Sequence, residues 1–270
     1  MFRILCKNRA LWLGESFFFS TRTFEGKPLF LGDHLDRLLD NIKHYYGDIF
    51  DEVYYSSFRL SLLNSLSALE SRLKASYDSC KDEYYLRVTL LPSFADQQCN
   101  KDMELYFQLN IQKLEPSKFD RKFLFIKRED KIMLFGKSGH YQSQMKDLRE
   151  AKGRGFDEVI YIDSDNKILE ASTSNVFIVD NENKKAWTSG DENKIYSGVT
   201  MGKLETVLEN LGFIVMRDSP MYDELELNHS IIFTNSVNII TRGKSERTKL
   251  LDEDLTTLLN ERILKLAKDK

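Results

Sequence analysis

The sequence is short of the residues that build metal centres, disulfide frameworks and membrane spans. Among 270 residues there are three cysteines and four histidines. Cys6, Cys80 and Cys99 have no metal-type spacing and cannot all pair with one another. His34, His44, His140 and His229 are scattered and form no HExxH-type pair, so no metal site is expected. No apolar run approaches the roughly 18 residues that cross a bilayer, so no membrane partner is expected either. The stretch Met1–Lys7 reads as too short and too charged for a signal peptide. With so few cysteines, the expected compartment is a reducing cytoplasm. Charge of one sign is also lacking. The 39 Lys and Arg against 42 Asp and Glu leave a net −3, without the basic excess that grips a nucleic-acid backbone.

What remains is enough chain for one large domain or two modest ones, with mixed strand and helix signals. Strands are predicted at 3–7 and 17–23. A helix follows with Asp33 as N-cap and Leu35, Leu38, Leu39 and Ile42 on one face, closed at Tyr46-Gly47. A longer helix covers about 55–76, with Leu60, Leu63, Leu66 and Leu69 in register, before strands at 83–91 and 103–111. The polar stretch Glu115-Pro116-Ser117-Lys118 carries one of only four prolines and is read as a linker. It separates an N-terminal α+β domain, 1–115, from a C-terminal α/β domain, 116–270. The second domain is expected to hold strands at 123–126, 157–162, 168–171, 175–179, 185–188, 213–217 and 230–234, and helices at 141–153, 198–211 and 252–268. A cleft between two such domains is a common place for a small-molecule site.

Four stretches carry chemistry. Lys137, in Gly136-Lys137-Ser138-Gly139-His140-Tyr141, follows the apolar run 132–135. Lost hydration favours the neutral amine, a nucleophile toward aldehydes. Taken alone, one lysine among many is usually a solvated surface charge. Glu170 lies at a strand end before Ser172, Thr173, Ser174 and Asn175. A carboxylate there can pair with a protonated ring nitrogen or simply face solvent. Gly198-Val199-Thr200 opens a helix, either an ordinary N-cap or an anion site built from free N–H groups and the helix dipole. Thr234-Asn235-Ser236 leaves a strand into a hydroxyl-rich turn, a second possible anion cradle or a common turn composition.

In order and spacing, these stretches resemble the fold type IV family of pyridoxal-phosphate (PLP) enzymes. That family includes branched-chain and D-amino acid aminotransferases and 4-amino-4-deoxychorismate lyases. The resemblance runs from Gly14 through the Phe17–Arg22 segment, similar to the family's Phe-Glu-x-x-Arg core. It continues through His34-Leu35-Asp36-Arg37-Leu38, similar to the His-x-x-Arg-Leu helix, to the Thr234–Ser236 turn. Lys137 and Glu158 are 21 residues apart, the spacing expected between the lysine and the family's Glu-led strand.

The resemblance implies two α/β domains, the second barrel-like, in a homodimer. It implies that Lys137 holds PLP as a Schiff base and then shuttles a proton, and that Glu170 pairs with the ring nitrogen. Arg37 would grip the phosphate, joined by Ser174, Asn175, Gly198, Val199, Thr200, Asn235 and Ser236. Phe18, Arg22, Tyr85, Arg87 and Tyr141 would line the substrate side. Arg22 could equally pair with a neighbouring acid, and one ring of Phe17–Phe19 is expected to face the site. The chain departs from the family pattern at Phe19, where a polar pocket group becomes aromatic, at Pro92, and at Met201, where an arginine is missing. The implied substrate is a small amino compound. Compact length and the Phe-x-Ser-Thr-Arg ending at Arg22 put a lyase that releases pyruvate and 4-aminobenzoate first. A branched-chain or D-amino acid aminotransferase is the alternative, followed by a non-catalytic homologue.

Overall fold

A computed structural model describes residues 14–47, 51–76, 83–96, 99–115, 118–127, 137, 141–190 and 195–268. The strand expected at 3–7, the apolar run 132–135, residues 116–117 of the linker, and Cys6, Cys80 and His140 lie outside the described residues. By chain contacts the molecule divides into two compact units, Met1–Glu115 with Phe135–His140, and Pro116–Leu134 with Tyr141–Lys270.

The first unit is built on β1 (Phe17–Phe24), β2 (Lys27–Pro28), α1 (Leu31–Tyr46), α2 (Glu52–Ser76), β3 (Tyr84–Asp96) and β4 (Cys99–Lys113). Its sheet runs β2-β1-β3-β4 and is antiparallel throughout. Strand side chains alternate between faces, so the register decides what each face carries. Phe17, Phe19, Leu86, Val88 and Leu90 take one face and pack with Leu35, Leu38, Ile42, Leu62 and Leu66 of the helices. Phe18, Ser20 and Arg22 lie opposite Thr89, Arg87 and Tyr85 on the other face.

Two expectations change here. Asp33 sits in the first turn of α1 rather than at its N-cap. The helix starts at Leu31 with Phe30 at the cap, in a left-handed conformation at φ 52°. Burial of Leu29 and Phe30 fixes the start, so tertiary packing overrides the cap preference. On α2 the buried face is Tyr55, Phe58, Leu62 and Leu66, at steps of three and four, and Leu60 is 59% exposed. The other helix ends and strands fall near their expected bounds, and Gly47 at φ 59° closes α1.

The second unit contains β5 (Asp120–Lys127), α3 (Gln142–Gly153), β6 (Glu158–Ile162), β7 (Ile168–Ala171), β8 (Asn175–Asp180) and β9 (Lys185–Thr188). It continues through α4 (Val199–Asn210), β10 (Ile214–Met216), β11 (Ser230–Asn235), β12 (Ile239–Lys244) and α5 (Glu253–Lys268). The sheet order is β10-β9-β8-β11-β12-β5-β6-β7. Strand β12 was not expected, because Ile239-Ile240 is brief and is followed by polar Thr241, Arg242 and Lys244. It forms because it is paired on both sides, with β11 and with β5. Strand β7 ends the sheet, yet only residues 172–174 join it to β8, third from the other end. Three residues reach about 10 Å. The sheet therefore curls on itself, giving the barrel-like unit. Among the described residues no helix is long and apolar enough to cross a membrane, and no cluster of three metal-ligating side chains occurs.

Asp180 holds the β8–β9 turn. Its Oδ1 accepts from the Glu182 and Asn183 N–H groups at 3.1 and 3.0 Å. Its Oδ2 accepts from Asn183 Nδ2 at 2.7 Å and Asn228 Nδ2 at 3.3 Å. Burial opposes ionisation, but these donors and nearby His229 outweigh it and hold the carboxyl below the usual range. The stabilisation is present above the unfolded pKa of about 4 and is lost as pH falls through the lower folded value. Asp180→Asn should cost about 1–3 kcal/mol at pH 7 in urea denaturation, with the difference from the parent shrinking in acid. A difference that stays constant in acid would contradict this.

Candidate functional site

In the second unit the site is assembled around the start of α4. Thr234 of β11 pairs with Asn175 of β8. The Asn175 side chain crosses to the loop before α4, donating from Nδ2 to the Tyr196 carbonyl at 2.7 Å and accepting the Gly198 N–H at 3.1 Å. Gly198 is the N-cap, so the helix has no side-chain cap, and no acid lies in its first turn. Thr200 and Ser236, 1% and 8% exposed, join hydroxyls at 2.6 Å. Asn235 Nδ2 donates to Ser174 Oγ at 2.9 Å, while its Oδ1 accepts from the Val237 and Asn238 N–H groups at 3.0 and 2.8 Å. Two hydroxyls beside a helix N-terminus suit an anion, because the first-turn N–H groups and the dipole both favour negative charge. A Cβ on Gly198 would meet Asn175 Oδ1 at 2.4 Å, so only glycine admits this approach. The chemistry of this donor set fits a phosphate.

Glu170 stands at an irregularity. Ile160 pairs with Ala171 and Ile162 with Ile168, so Leu169 and Glu170 share the place opposite Tyr161. This bulge lets Ile168 and Ala171 both reach one apolar cluster while Leu169 enters another. It leaves Glu170 half-buried at the strand end. Immediately after it, Ser172 and Thr173 donate to Glu158, a carboxylate that is 1% exposed. The sequence marked Glu158 only by its spacing; its bonds to the turn are visible only in the fold.

In the first unit the Phe18 N–H donates to the Lys137 carbonyl at 2.9 Å, and Lys137 Nζ lies 5.2 Å from the centre of the Phe18 ring. The Arg87 guanidinium stacks on the same ring at 3.5 Å. Its Nε donates to Thr89 Oγ1 at 3.3 Å, and it has no carboxylate partner among the described residues. Tyr85 shares a hydroxyl hydrogen bond with Ser20 at 2.8 Å. Ser20 was not singled out by sequence, although its step of two from Phe18 is the signal that could have found it.

Phe18 lies on the sheet face opposite Phe17 and Phe19, which belong to the core. Phe19 stacks on His34 at 4.9 Å and packs in the core. Met201, 1% exposed, is likewise a core residue. Arg22 forms an ion pair with Glu83, and burial lowers its pKa. Arg37 is half-buried on α1 in the first unit, and Tyr141 half-buried just before α3 in the second.

The chain is similar in sequence and in fold to known proteins. The family model for class IV amino-transferases matches residues 16–245. A chain assigned as a branched-chain-amino-acid aminotransferase of Aquifex aeolicus is 24% identical over 256 residues, covering 89% of this chain and 78% of the relative. A fold IV transaminase structure from Curtobacterium pusillum superposes with a TM-score of 0.78 at 20% identity, covering 97% of this chain and 88% of that one. A Legionella pneumophila structure assigned as a 4-amino-4-deoxychorismate lyase gives 0.75 at 20% identity, covering 98% and 94%.

Asn175 and Gly198 should be energetically coupled. Asn175→Ala removes two hydrogen bonds, and Gly198→Ala drives the same side chain from its place. Each should cost about 1–3 kcal/mol. Together they should cost about 1 kcal/mol less than their sum in a denaturation cycle, because the alanine at 175 removes the clash. Simple additivity would contradict the shared contact.

Proposed function

This chain belongs to the class IV aminotransferase family of PLP-dependent enzymes, and from that premise we propose that it is an aminotransferase holding PLP on Lys137. The observation that carries the reading is the Thr200–Ser236 hydroxyl pair at the bare N-terminus of α4, held in place by Asn175. When bound, the cofactor supplies an electron sink for the carbon beside the substrate amine. The protein's own groups do the rest. Thr200, Ser236 and the first N–H groups of α4 would hold the phosphate, with Arg37, Ser174, Asn175, Val199 and Asn235 completing or supporting that site. Glu170 would pair with the ring nitrogen. Lys137 would hold the cofactor through Nζ and, once displaced by the substrate amine, would carry the proton taken from the substrate carbon. Arg87, lacking a carboxylate partner among the described residues, is suited to an anionic substrate group, and Tyr85 offers its hydroxyl beside it.

The lyase reading takes second place. It leaned on Arg22, and that guanidinium is engaged by Glu83. The likeness to the Legionella protein still supports it. The substrate is a small amino or keto acid rather than nucleic acid, and the enzyme works as a cytoplasmic homodimer. Its two domains divide in sequence after Glu115, with residues 135–140 grouping with the first, and Tyr141 lines the substrate side.

Borohydride treatment of the protein with PLP should fix one cofactor on Lys137, located by peptide mass spectrometry. Lys137→Ala should give no adduct and lose about 100-fold to 10,000-fold in turnover. An adduct in Lys137→Ala would sink the assignment. Amino exchange between glutamate and branched keto acids, assayed beside pyruvate release from 4-amino-4-deoxychorismate, separates the two chemistries. Pyruvate release alone would overturn the aminotransferase reading.

A further inference from the structure

Glu158 has no part in the chemistry assigned above, yet it lies buried at the start of β6 with donors as its partners among the described residues. Its Oε1 accepts the Val159 N–H at 3.0 Å and the Ser172 hydroxyl. Its Oε2 accepts the Thr173 hydroxyl at 2.9 Å and lies 3.3 Å from Arg121 Nη1. Arg121 is itself largely buried, its side chain 13% exposed. A buried ion pair of this kind brings little net stability once desolvation is counted, so stability alone is a weak reason for it.

The turn that the pair clamps is the informative part. Ser172 and Thr173 lie between Glu170 on one side and Ser174 and Asn175 on the other. The turn is tight, with the Ala171 N–H donating to the Ser174 carbonyl at 2.8 Å, and the Ser172 N–H donating to the Val159 carbonyl at 3.0 Å. Upstream, Glu170 leaves β7 on a bulge. Downstream, Ser174 accepts from Asn235 and Asn175 fixes the start of α4. The segment therefore joins the carboxylate assigned to the ring nitrogen with the groups assigned to the phosphate.

We propose that Glu158 is a positioning residue for the cofactor site. By gripping Ser172 and Thr173 it fixes how Glu170 leaves β7 and how Ser174 and Asn175 enter β8, without touching the cofactor. This rests on the cofactor reading above. A clamp that served only the fold would be felt in stability. A clamp that positions the two halves of the site is felt in cofactor affinity while the fold stays intact, because misplaced groups no longer bind together.

The test is a fluorescence titration of the cofactor-free protein with PLP, with thermal melting of the same samples. The main variant is Ser172→Ala/Thr173→Val, which cuts both hydroxyl ties and leaves the Glu158–Arg121 pair in place. It should melt within a few degrees of the parent and bind PLP about tenfold more weakly. Glu158→Gln should weaken binding in the same direction, and the double variant carries the test if that protein does not fold. Thr173→Ser keeps the hydroxyl and should bind as the parent does. Parent-like affinity in the double variant, or equal weakening by Thr173→Ser and Thr173→Val, would overturn the positioning role while leaving the cofactor reading intact. Absence of PLP binding by the parent would overturn both.

Discussion

The pairing of Asn175 with Thr234 is the constraint on which the second unit's site depends. It fixes the register of β8 against β11. A slip of one residue would turn Asn175 to the opposite face, because side chains alternate along a strand. In the observed register, its amide reaches the loop before α4 and sets where that helix begins. Thr200 then meets Ser236, and Asn235 meets Ser174. The groups suited to an anion there are hydroxyls and backbone N–H groups, with no need for a basic surface. That agrees with a chain whose net charge is only −3.

The first unit solves a different problem by the same alternation. Phe17 and Phe19 supply the core, so Phe18 is left to the other face, where Arg87 stacks on it and Lys137 Nζ lies near it. Ser20 and Tyr85 share that face through one hydrogen bond. The aromatic at position 19, which read as a change in the pocket, is a packing residue stacked on His34.

Much of this was legible before folding. Lys137, Glu170, Gly198 and Ser236 sit in short motifs whose order carries information, and each motif is local. What was hidden depends on contacts distant in sequence. Asp33 has the right chemistry for a cap, but burial of Leu29 and Phe30 starts the helix earlier. Leu60 matches a leucine period of which Leu66 is buried, but Tyr55, Phe58 and Leu62 share the buried face and Leu60 does not. Strand β12 needs neighbours on both sides to exist. Arg22 finds Glu83 some 60 residues away, which no local pattern announces. The bulge at Glu170 follows from pairing with β6, so its half-buried carboxylate could be suspected from sequence but not oriented.

The central claim of the proposed function is that this chain holds PLP on Lys137. A crystal structure of the protein grown with PLP tests it most directly. The account predicts electron density continuous from Lys137 Nζ to the cofactor ring, with the phosphate hydrogen-bonded to Thr200 and Ser236 and the ring nitrogen facing Glu170. A phosphate bound elsewhere, or a cofactor not joined to Lys137, would contradict it.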